Sequence, residues 1–213
     1  MKSEKLPVYL LTEQKVDGVL NYPVIKINFL SPSFSFKNID FLLFTSKNGV
    51  RAVDILTDEW KKHPSFAIGR ATAKEIEKLG GRVEYIAKKA YGDEFAKEIN
   101  AKYKNKTFLF FRAKTLVSDI QNEFVNNSLK QVIVYETLCN KPRHKLKKPA
   151  IIIFTSPSTV KCYKKINDFQ DIYPIAIGEK TKRELIKSIS KIYMPSTPLI
   201  EECVLLAKSL KIG

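Results

Sequence analysis

The chain has 213 residues, and its hydrophobic share of 44% is ordinary for a globular protein with one large core or two small ones. Its 37 Lys and Arg residues against 22 Asp and Glu residues give a formal net charge of +15. The apolar run at 8–11 is too short for a signal-peptide core, and no stretch approaches the roughly 20 apolar residues of a membrane span, so we expect a cytoplasmic protein.

The predicted secondary structure alternates strands with helices along most of the chain. The first part of the chain is predicted to have strands at 8–12, 24–30, 41–44, 66–68, 83–86, 107–111 and 131–138, and helices at 47–56, 71–79, 92–103 and 115–126. After a basic, proline-containing linker at 141–149, strands are predicted at 150–154, 174–177 and 191–194, and helices at 158–166, 181–188 and 198–210. Pro198 would occupy the first turn of the last helix. Repeated strand-then-helix order predicts parallel sheets covered by helices on both faces.

Two short motifs occur twice at nearly the same separation. Phe-Thr-Ser follows an apolar run at 44–46 and again at 154–156, and Ala-Ile-Gly occurs at 67–69 and again at 176–178. Hydroxyl residues at a strand-to-helix junction are typical of helix N-caps. The repetition predicts two similar lobes, since its period is far too long for a solenoid.

The cysteines and histidines show no metal-site or disulfide pattern. Cys139, Cys162 and Cys203 are odd in number, widely spaced and without a Cys-x-x-Cys pair. This pattern argues against a disulfide framework or a zinc site and suits a reducing compartment. His63 and His144 lack the spacing of metal ligands, so no metal is expected.

The positive charge leaves two explanations open. Basic residues are scattered, and only 141–148 forms a dense run, without a familiar nucleic-acid motif. The charge reflects either overall composition or an acidic partner, which would be a polyanionic small molecule or a nucleic acid.

The ordered combination of motifs resembles the uroporphyrinogen-III synthase family over nearly the whole chain. It comprises the repeated Phe-Thr-Ser, the Gly-x-x-Thr that follows each Ala-Ile, Val134-Tyr135-Glu136-Thr137 and the Thr155-Ser156-Pro157-Ser158 form of the second copy. The resemblance implies two flavodoxin-like α/β lobes joined by a two-stranded antiparallel β-ladder that acts as a hinge. Lobe 1 would combine 1–23 with 142–213, lobe 2 would span 33–130, and 24–32 and 131–141 would be the connecting strands.

Two departures from the family pattern affect individual contacts. Thr12-Glu13-Gln14 stands where many relatives have Thr-Arg-Pro, and Arg112-Ala113 stands where they often have Arg-Gly. The first departure removes a cation that would contact a carboxylate.

The resemblance implies an enzyme of haem biosynthesis. Its substrate would be hydroxymethylbilane, a linear tetrapyrrole with eight carboxylates, which is cyclised with inversion of the terminal ring, through a spiro intermediate and with loss of water. The expected protein is a monomeric lyase without cofactor or metal that binds neither nucleic acid nor membrane. Its main task would be to position the substrate for one closure rather than its competitor.

Ligands of open α/β sheets bind at the carboxyl ends of the strands, where helix N-termini present unpaired N–H groups that suit carboxylates. The predicted substrate-binding residues there are Thr45, Ser46, Gly69, Thr72, Arg112, Thr155, Ser156, Ser158, Gly178, Lys180 and Thr181. Tyr135 matches the family's tyrosine near the cleft between the lobes, and we expect its phenol to donate a hydrogen bond to the departing hydroxyl.

Each of these assignments has a purely structural alternative. Helix capping explains the hydroxyls, a tight turn explains the two glycines, and packing on a β-ribbon explains Tyr135. Solvated surface side chains explain Arg112 and Lys180. Two other functions also remain open. A non-catalytic two-lobe protein that binds a polyanion would share the architecture, and a nucleic-acid-binding module would need a localised basic face with interleaved aromatic residues.

Overall fold

A computed structural model describes residues 6–87, 92–116, 120 and 124–210 of the chain. The chain divides into two compact units. Unit 1 comprises Met1–Lys26 and Leu138–Gly213, and unit 2 comprises Ile27–Thr137.

The strands are β1 (Val8–Leu10), β2 (Leu20–Asn21), β3 (Ile25–Phe29), β4 (Phe41–Phe44), β5 (Pro64–Ala67), β6 (Arg82–Ile86), β7 (Thr107–Ala113), β8 (Ser128–Cys139), β9 (Ala150–Phe154) and β10 (Ile172–Ala176). The helices are α1 (Lys47–Leu56), α2 (Arg70–Lys78), α3 (Gly92–Lys102), α4 (Pro157–Lys164), α5 (Glu179–Leu185) and α6 (Ile200–Ser209). A short 3-10 helix covers Glu59–Lys62.

The sheet of unit 2 has the strand order β3-β8-β7-β4-β5-β6, and the pairs from β8 to β6 are parallel. Successive residues of β4 point to opposite faces, as the period of a strand requires. Leu42 and Phe44 pack with α1 and α2, whereas Leu43 packs in the cluster that contains Phe95 and Ile99 of α3. The sheet is therefore covered by helices on both faces.

The edge strand β3 runs against its neighbour β8. Leu30 donates its backbone N–H to the Val134 carbonyl at 2.9 Å, and the Asn28 side chain donates to Glu136 Oε1 at 3.0 Å. The two strands are therefore antiparallel, because the residue numbers of the β8 partners decrease as the residue numbers along β3 increase.

The sheet of unit 1 has the strand order β10-β9-β1-β2, and all its pairs are parallel. All five residues of β9 are buried. Ile152 and Phe154 pack with α4 and α5, and Ile151 and Ile153 pack with α6. This arrangement explains why the strand is a continuous apolar run rather than an alternating one.

The structure confirms the predicted fold class, a mixed α/β fold with parallel sheets flanked by helices. Strand β2 and the 3-10 helix were not predicted, and residues 191–194 contribute only an isolated bridge between Tyr193 and Ile175. The placement of Pro198 in a first turn was wrong, because α6 begins at Ile200 with Leu199 as its N-cap. Half of the helix predicted at 115–126 lies outside the described residues, and residues 115, 116 and 124–126 are described but are not helical, so the predicted ends of this helix were wrong.

The argument against a disulfide was also wrong. Cys139 at the end of β8 and Cys162 in α4 form a disulfide with a Cα–Cα distance of 5.2 Å. Their sequence separation of 23 residues carries no signal for this contact, which only folding produces. Cys203 is free, and burial raises the pKa of its thiol to about 11.

Candidate functional site

In unit 2, Thr45 and Ser46 lie between the carboxyl end of β4 and the start of α1. Ser46 is the N-cap of α1, and its hydroxyl accepts a hydrogen bond from the Asn48 backbone N–H at 3.2 Å. The capping role expected of this hydroxyl is confirmed. Both side chains are half-buried, so each keeps part of its surface accessible.

Tyr135 lies on β8 beside the carboxyl end of β7 and is 7% exposed. It packs in the same buried cluster as Val134, although consecutive residues of a regular strand point to opposite faces. The pairing of β7 with β8 shifts register between Arg112 and Ala113, and such an irregularity re-aims a side chain. Tyr135 therefore lies on the face of the sheet that α1 covers.

Burial raises the pKa of the Tyr135 phenol, and the nearby Ser46 side chain offsets part of the increase by favouring the ionised form. The phenol is consequently protonated at neutral pH and can act as a hydrogen-bond donor.

Arg112 lies in the same part of unit 2, near the carboxyl end of β7. Its Nη1 donates to the carbonyl oxygens of Ala113 at 2.8 Å and Lys114 at 3.2 Å. Its Nε is buried and has no hydrogen-bond partner among the described residues. The guanidinium is thus held by local backbone and keeps one unused donor.

Gly69 is the N-cap of α2 and has φ +87° and ψ 147°. A Cβ at this position would meet nothing within 4 Å, so the backbone conformation, not lack of space, requires the glycine. The side chain of Thr72 is only 5% exposed and packs inside unit 2.

In unit 1, Thr155 and Ser156 follow β9 and lead into α4, with Pro157 at the first position. Ser156 and Thr159 form a capping box: the Ser156 hydroxyl accepts the Thr159 N–H, and the Thr159 hydroxyl accepts the Ser156 N–H, each at 3.2 Å. Thr155 and Ser158 are half-buried beside this cap.

The second glycine motif differs from the first. Gly178 has φ −172°, an extended conformation that any residue adopts, so the tight-turn explanation holds only for Gly69. Thr181 is 3% exposed and Lys180 is exposed. Glu179 is the first residue of α5, so the Glu179 carboxylate already interacts favourably with the positive N-terminal end of the helix dipole.

The structure points to three residues that the sequence reasoning missed. Lys47 and Arg70 are exposed at the first positions of α1 and α2, and neither of these helices has an acidic residue in its first turn. Cations there oppose the helix dipole, so they do not serve helix stability and are available to an anion. Thr12, just after β1, has a buried hydroxyl without a hydrogen-bond partner in the described part of the chain. For Lys47, its position directly after the hydroxyl residues of the predicted strand-to-helix junction was the available sequence signal.

Within the described residues, no group of three or more His, Cys, Asp or Glu side chains is placed to hold a metal ion. In the same part of the chain, none of the helices has the length and apolar character needed to cross a membrane.

Parallel sheets flanked by helices, with helix N-termini at the carboxyl ends of their strands, define a mixed α/β protein, a class in which ligands generally bind at that edge of the sheet. Within that class the chain belongs to the uroporphyrinogen-III synthase family, because the family model Uroporphyrinogen-III synthase HemD matches residues 12–204. The resemblance noted in the sequence is thereby confirmed.

Two solved structures share this fold. Uroporphyrinogen-III synthetase from Helicobacter pylori is 24% identical and aligns over 97% of this chain and 100% of its own, with a TM-score of 0.81. A mutant uroporphyrinogen III synthase from the extremely thermophilic bacterium Thermus thermophilus is 12% identical and aligns over 95% and 97%, with a TM-score of 0.59. No curated protein matches the chain.

Proposed function

We propose that the protein is a uroporphyrinogen-III synthase, a lyase that closes hydroxymethylbilane to uroporphyrinogen III with inversion of the terminal (D) ring and loss of water. Membership of the family supports this reaction. The observation at the site that carries the proposal is the buried, protonated phenol of Tyr135, which lies beside the carboxyl end of β7 in the parallel part of the sheet.

The substrate's eight carboxylates need several separate anion-binding positions. Each unit offers helix N-termini at the carboxyl ends of its strands, with unpaired backbone N–H groups that bind carboxylates. In unit 2, Lys47 and Arg70 add positive charge beside the N-termini of α1 and α2. In unit 1, the first turn of α4 contains no acidic residue that would compete with a substrate carboxylate. The net charge of +15 fits such a substrate.

The chemistry needs one hydrogen-bond donor at the departing oxygen. The C–O bond of the hydroxymethyl group breaks as the electron-rich pyrrole supplies electrons to the methylene carbon and releases its N–H proton to solvent, and the oxygen takes up a proton from solvent and leaves as water. We assign to the Tyr135 phenol the hydrogen bond to that oxygen, which stabilises its developing negative charge. The substituted carbon of the terminal ring then attacks the methylene carbon to form the spiro intermediate.

Selection of the type III product follows from binding. Hydroxymethylbilane closes without help to the symmetrical type I ring, so the protein must bind the transition state of the inverting closure better than that of its competitor. Holding the carboxylates at fixed helix N-termini restricts the orientation of the terminal ring.

The test is a product analysis with freshly made hydroxymethylbilane, with and without the protein. Oxidised products are separated by chromatography into type I and type III isomers. We expect type III in excess only when the protein is present. Type I alone in both samples, with circular dichroism showing folded protein, would contradict the proposal and favour a polyanion-binding protein without catalysis.

A further inference from the structure

We propose that the disulfide between Cys139 and Cys162 is a site of reversible thiol–disulfide exchange, which opens and closes the link between the end of β8 and α4. The co-reactant is a small-molecule thiol of the glutathione type. Leu138 and Cys139, the last residues of β8, belong to unit 1 together with α4, so the exchange takes place within one compact unit. The inference does not depend on the proposed function.

The first step is access to the two sulfur atoms, which differs between the two cysteines. Cys139 is an exposed residue at the end of a strand, whereas Cys162 is only 5% exposed and packs in the buried cluster that contains Val160 and Tyr163. A thiolate attacks one sulfur of a disulfide and expels the other, so access decides which sulfur is attacked. An incoming thiolate therefore attacks the Cys139 sulfur and expels Cys162.

The second step is the exchange itself. The thiolate of the small thiol forms a bond to the Cys139 sulfur, the bond between Cys139 and Cys162 breaks, and Cys162 leaves as a thiolate. A second small thiol, as its thiolate, then attacks the small thiol's sulfur in this mixed disulfide and expels Cys139 as a thiolate. Overall, two small thiols are oxidised to their disulfide, the protein disulfide is reduced by two electrons, and the protons of the small thiols pass through solvent to the two cysteines.

Basic side chains close to the cysteines in sequence favour the thiolates of this exchange. Lys161 directly precedes Cys162, and Lys141 follows Cys139 by two positions. Both lysines are exposed, and neither forms an ion pair within the described part of the chain, so their charge is not neutralised by an acidic side chain. Positive charge near a cysteine lowers the pKa of its thiol, and a thiol of lower pKa is a better leaving group.

Both cysteines are held near each other by contacts that do not involve the disulfide. Next to Cys139, Asn140 donates its backbone N–H to the Val24 carbonyl at 2.8 Å and its side-chain amide to the Pro23 carbonyl at 2.6 Å. On the other side, the capping box at its N-terminus and the fully buried Tyr163 hold α4 in place. The two thiols therefore stay within reach of each other after reduction, and the disulfide can re-form without refolding of unit 1.

The first test identifies the attacked sulfur with two matched variants, each of which leaves one of the paired cysteines as a free thiol. Cys162→Ser leaves Cys139, and Cys139→Ser leaves Cys162. Both variants are checked for folding by circular dichroism and treated with glutathione disulfide, and the modified peptides are quantified by mass spectrometry. We expect modification of Cys162 to be slower than that of Cys139 by more than about tenfold, because a buried thiol reacts only when the structure opens locally.

Cys203 is the internal control in both variants. It is a free cysteine with 0% exposure, so it should stay unmodified under the same conditions. Equal rates at Cys139 and Cys162, or faster modification of Cys162, would overturn the assigned direction of attack.

The second test uses the wild-type protein without denaturant. The ratio of reduced to oxidised glutathione is varied, free thiols are trapped by alkylation in acid-quenched samples, and circular dichroism follows the fold. We expect the fraction of the Cys139–Cys162 disulfide to fall as the ratio rises and to recover when the ratio is reversed, with the spectrum unchanged. A disulfide that is reduced only when urea unfolds the protein, or that does not re-form on reversal, would overturn the proposal.

The link between β8 and α4 is tested by hydrogen–deuterium exchange of the oxidised and reduced protein. We expect backbone amides at 138–140 and in α4 to exchange faster after reduction, because one constraint on both elements is lost. Amides of β4 and β5, which lie in unit 2, should exchange equally in the two states. Equal exchange in all these segments would show that the disulfide constrains neither element and would overturn its role as a link.

Discussion

Replacing Gly69 by Ala is expected to destabilise the protein, whereas the same change at Gly178, its counterpart in the repeated motif, is not. The φ of +87° with ψ 147° at Gly69 lies in a region that residues with a Cβ rarely adopt, and forcing Ala into it costs about 1–3 kcal/mol. At Gly178 the backbone is extended, and an added Cβ would lie 3.6 Å from the Pro198 Cβ, an ordinary contact. Ala there restricts the unfolded chain, which favours folding by about 0.4–1 kcal/mol, but it is a poorer N-cap of α5 than Gly by a similar amount, so little net change in stability is expected.

The assay is urea denaturation of both variants and the wild type. Trp60, the chain's single tryptophan, is fully buried in unit 2, so its fluorescence reports the unit that contains Gly69. Far-UV circular dichroism follows both units. We expect the midpoint measured by fluorescence to fall in Gly69→Ala, and no loss of stability by either probe in Gly178→Ala. Equal losses in the two variants, or a larger loss in Gly178→Ala, would refute the argument from backbone conformation.

Three further predictions follow from single contacts. Tyr135→Phe should slow type III formation about tenfold, the effect of one lost hydrogen bond to the leaving oxygen, and an unchanged rate in the isomer assay would exclude this role. Reducing the Cys139–Cys162 disulfide should lower the free energy of unfolding by about 3 kcal/mol, because its loop of 23 residues is released in the unfolded chain; identical urea midpoints with and without reductant would disprove this. The hydrogen bond that Arg51 donates at 2.7 Å holds the pKa of the Glu75 carboxyl below its usual value. The ionised carboxylate therefore stabilises the folded protein above the unfolded-state pKa of about 4.3, and this stabilisation is lost as the pH falls through the lower folded-state pKa. The stability advantage of wild type over Glu75→Gln should therefore shrink below about pH 4, and a gap that does not vary with pH would contradict it.

The parts of the fold that could be predicted from the sequence are those that local chemistry determines. The bounds of α1 were predicted correctly because an apolar strand, a hydroxyl N-cap and a helical pattern follow one another directly at Ser46. The same holds for β9, where five apolar residues end at Thr155. These junctions also contain nearly half of the predicted binding residues, since in this fold binding residues and helix caps share the same positions.

The remaining features depend on partners that are distant in sequence. The face on which Tyr135 lies is set by a register shift in its pairing with β7, which no alternation pattern within β8 could reveal. The contact between Cys139 and Cys162 likewise needs the packing of α4 beside the end of β8.

The two copies of the repeated motif differ at one position in a way that changes how the following helix is capped. Three residues after the N-cap, unit 1 has Thr159, whose hydroxyl closes the capping box on Ser156. The same position after Ser46 is Gly49, which cannot close a box and whose missing side chain lets α1 approach β7. The cap of α4 is therefore reciprocal, whereas Ser46 accepts the Asn48 N–H and Gly49 has no side chain to return a bond. The same strand-to-helix junction is thus closed by a capping box in unit 1 and by a single capping hydrogen bond in unit 2.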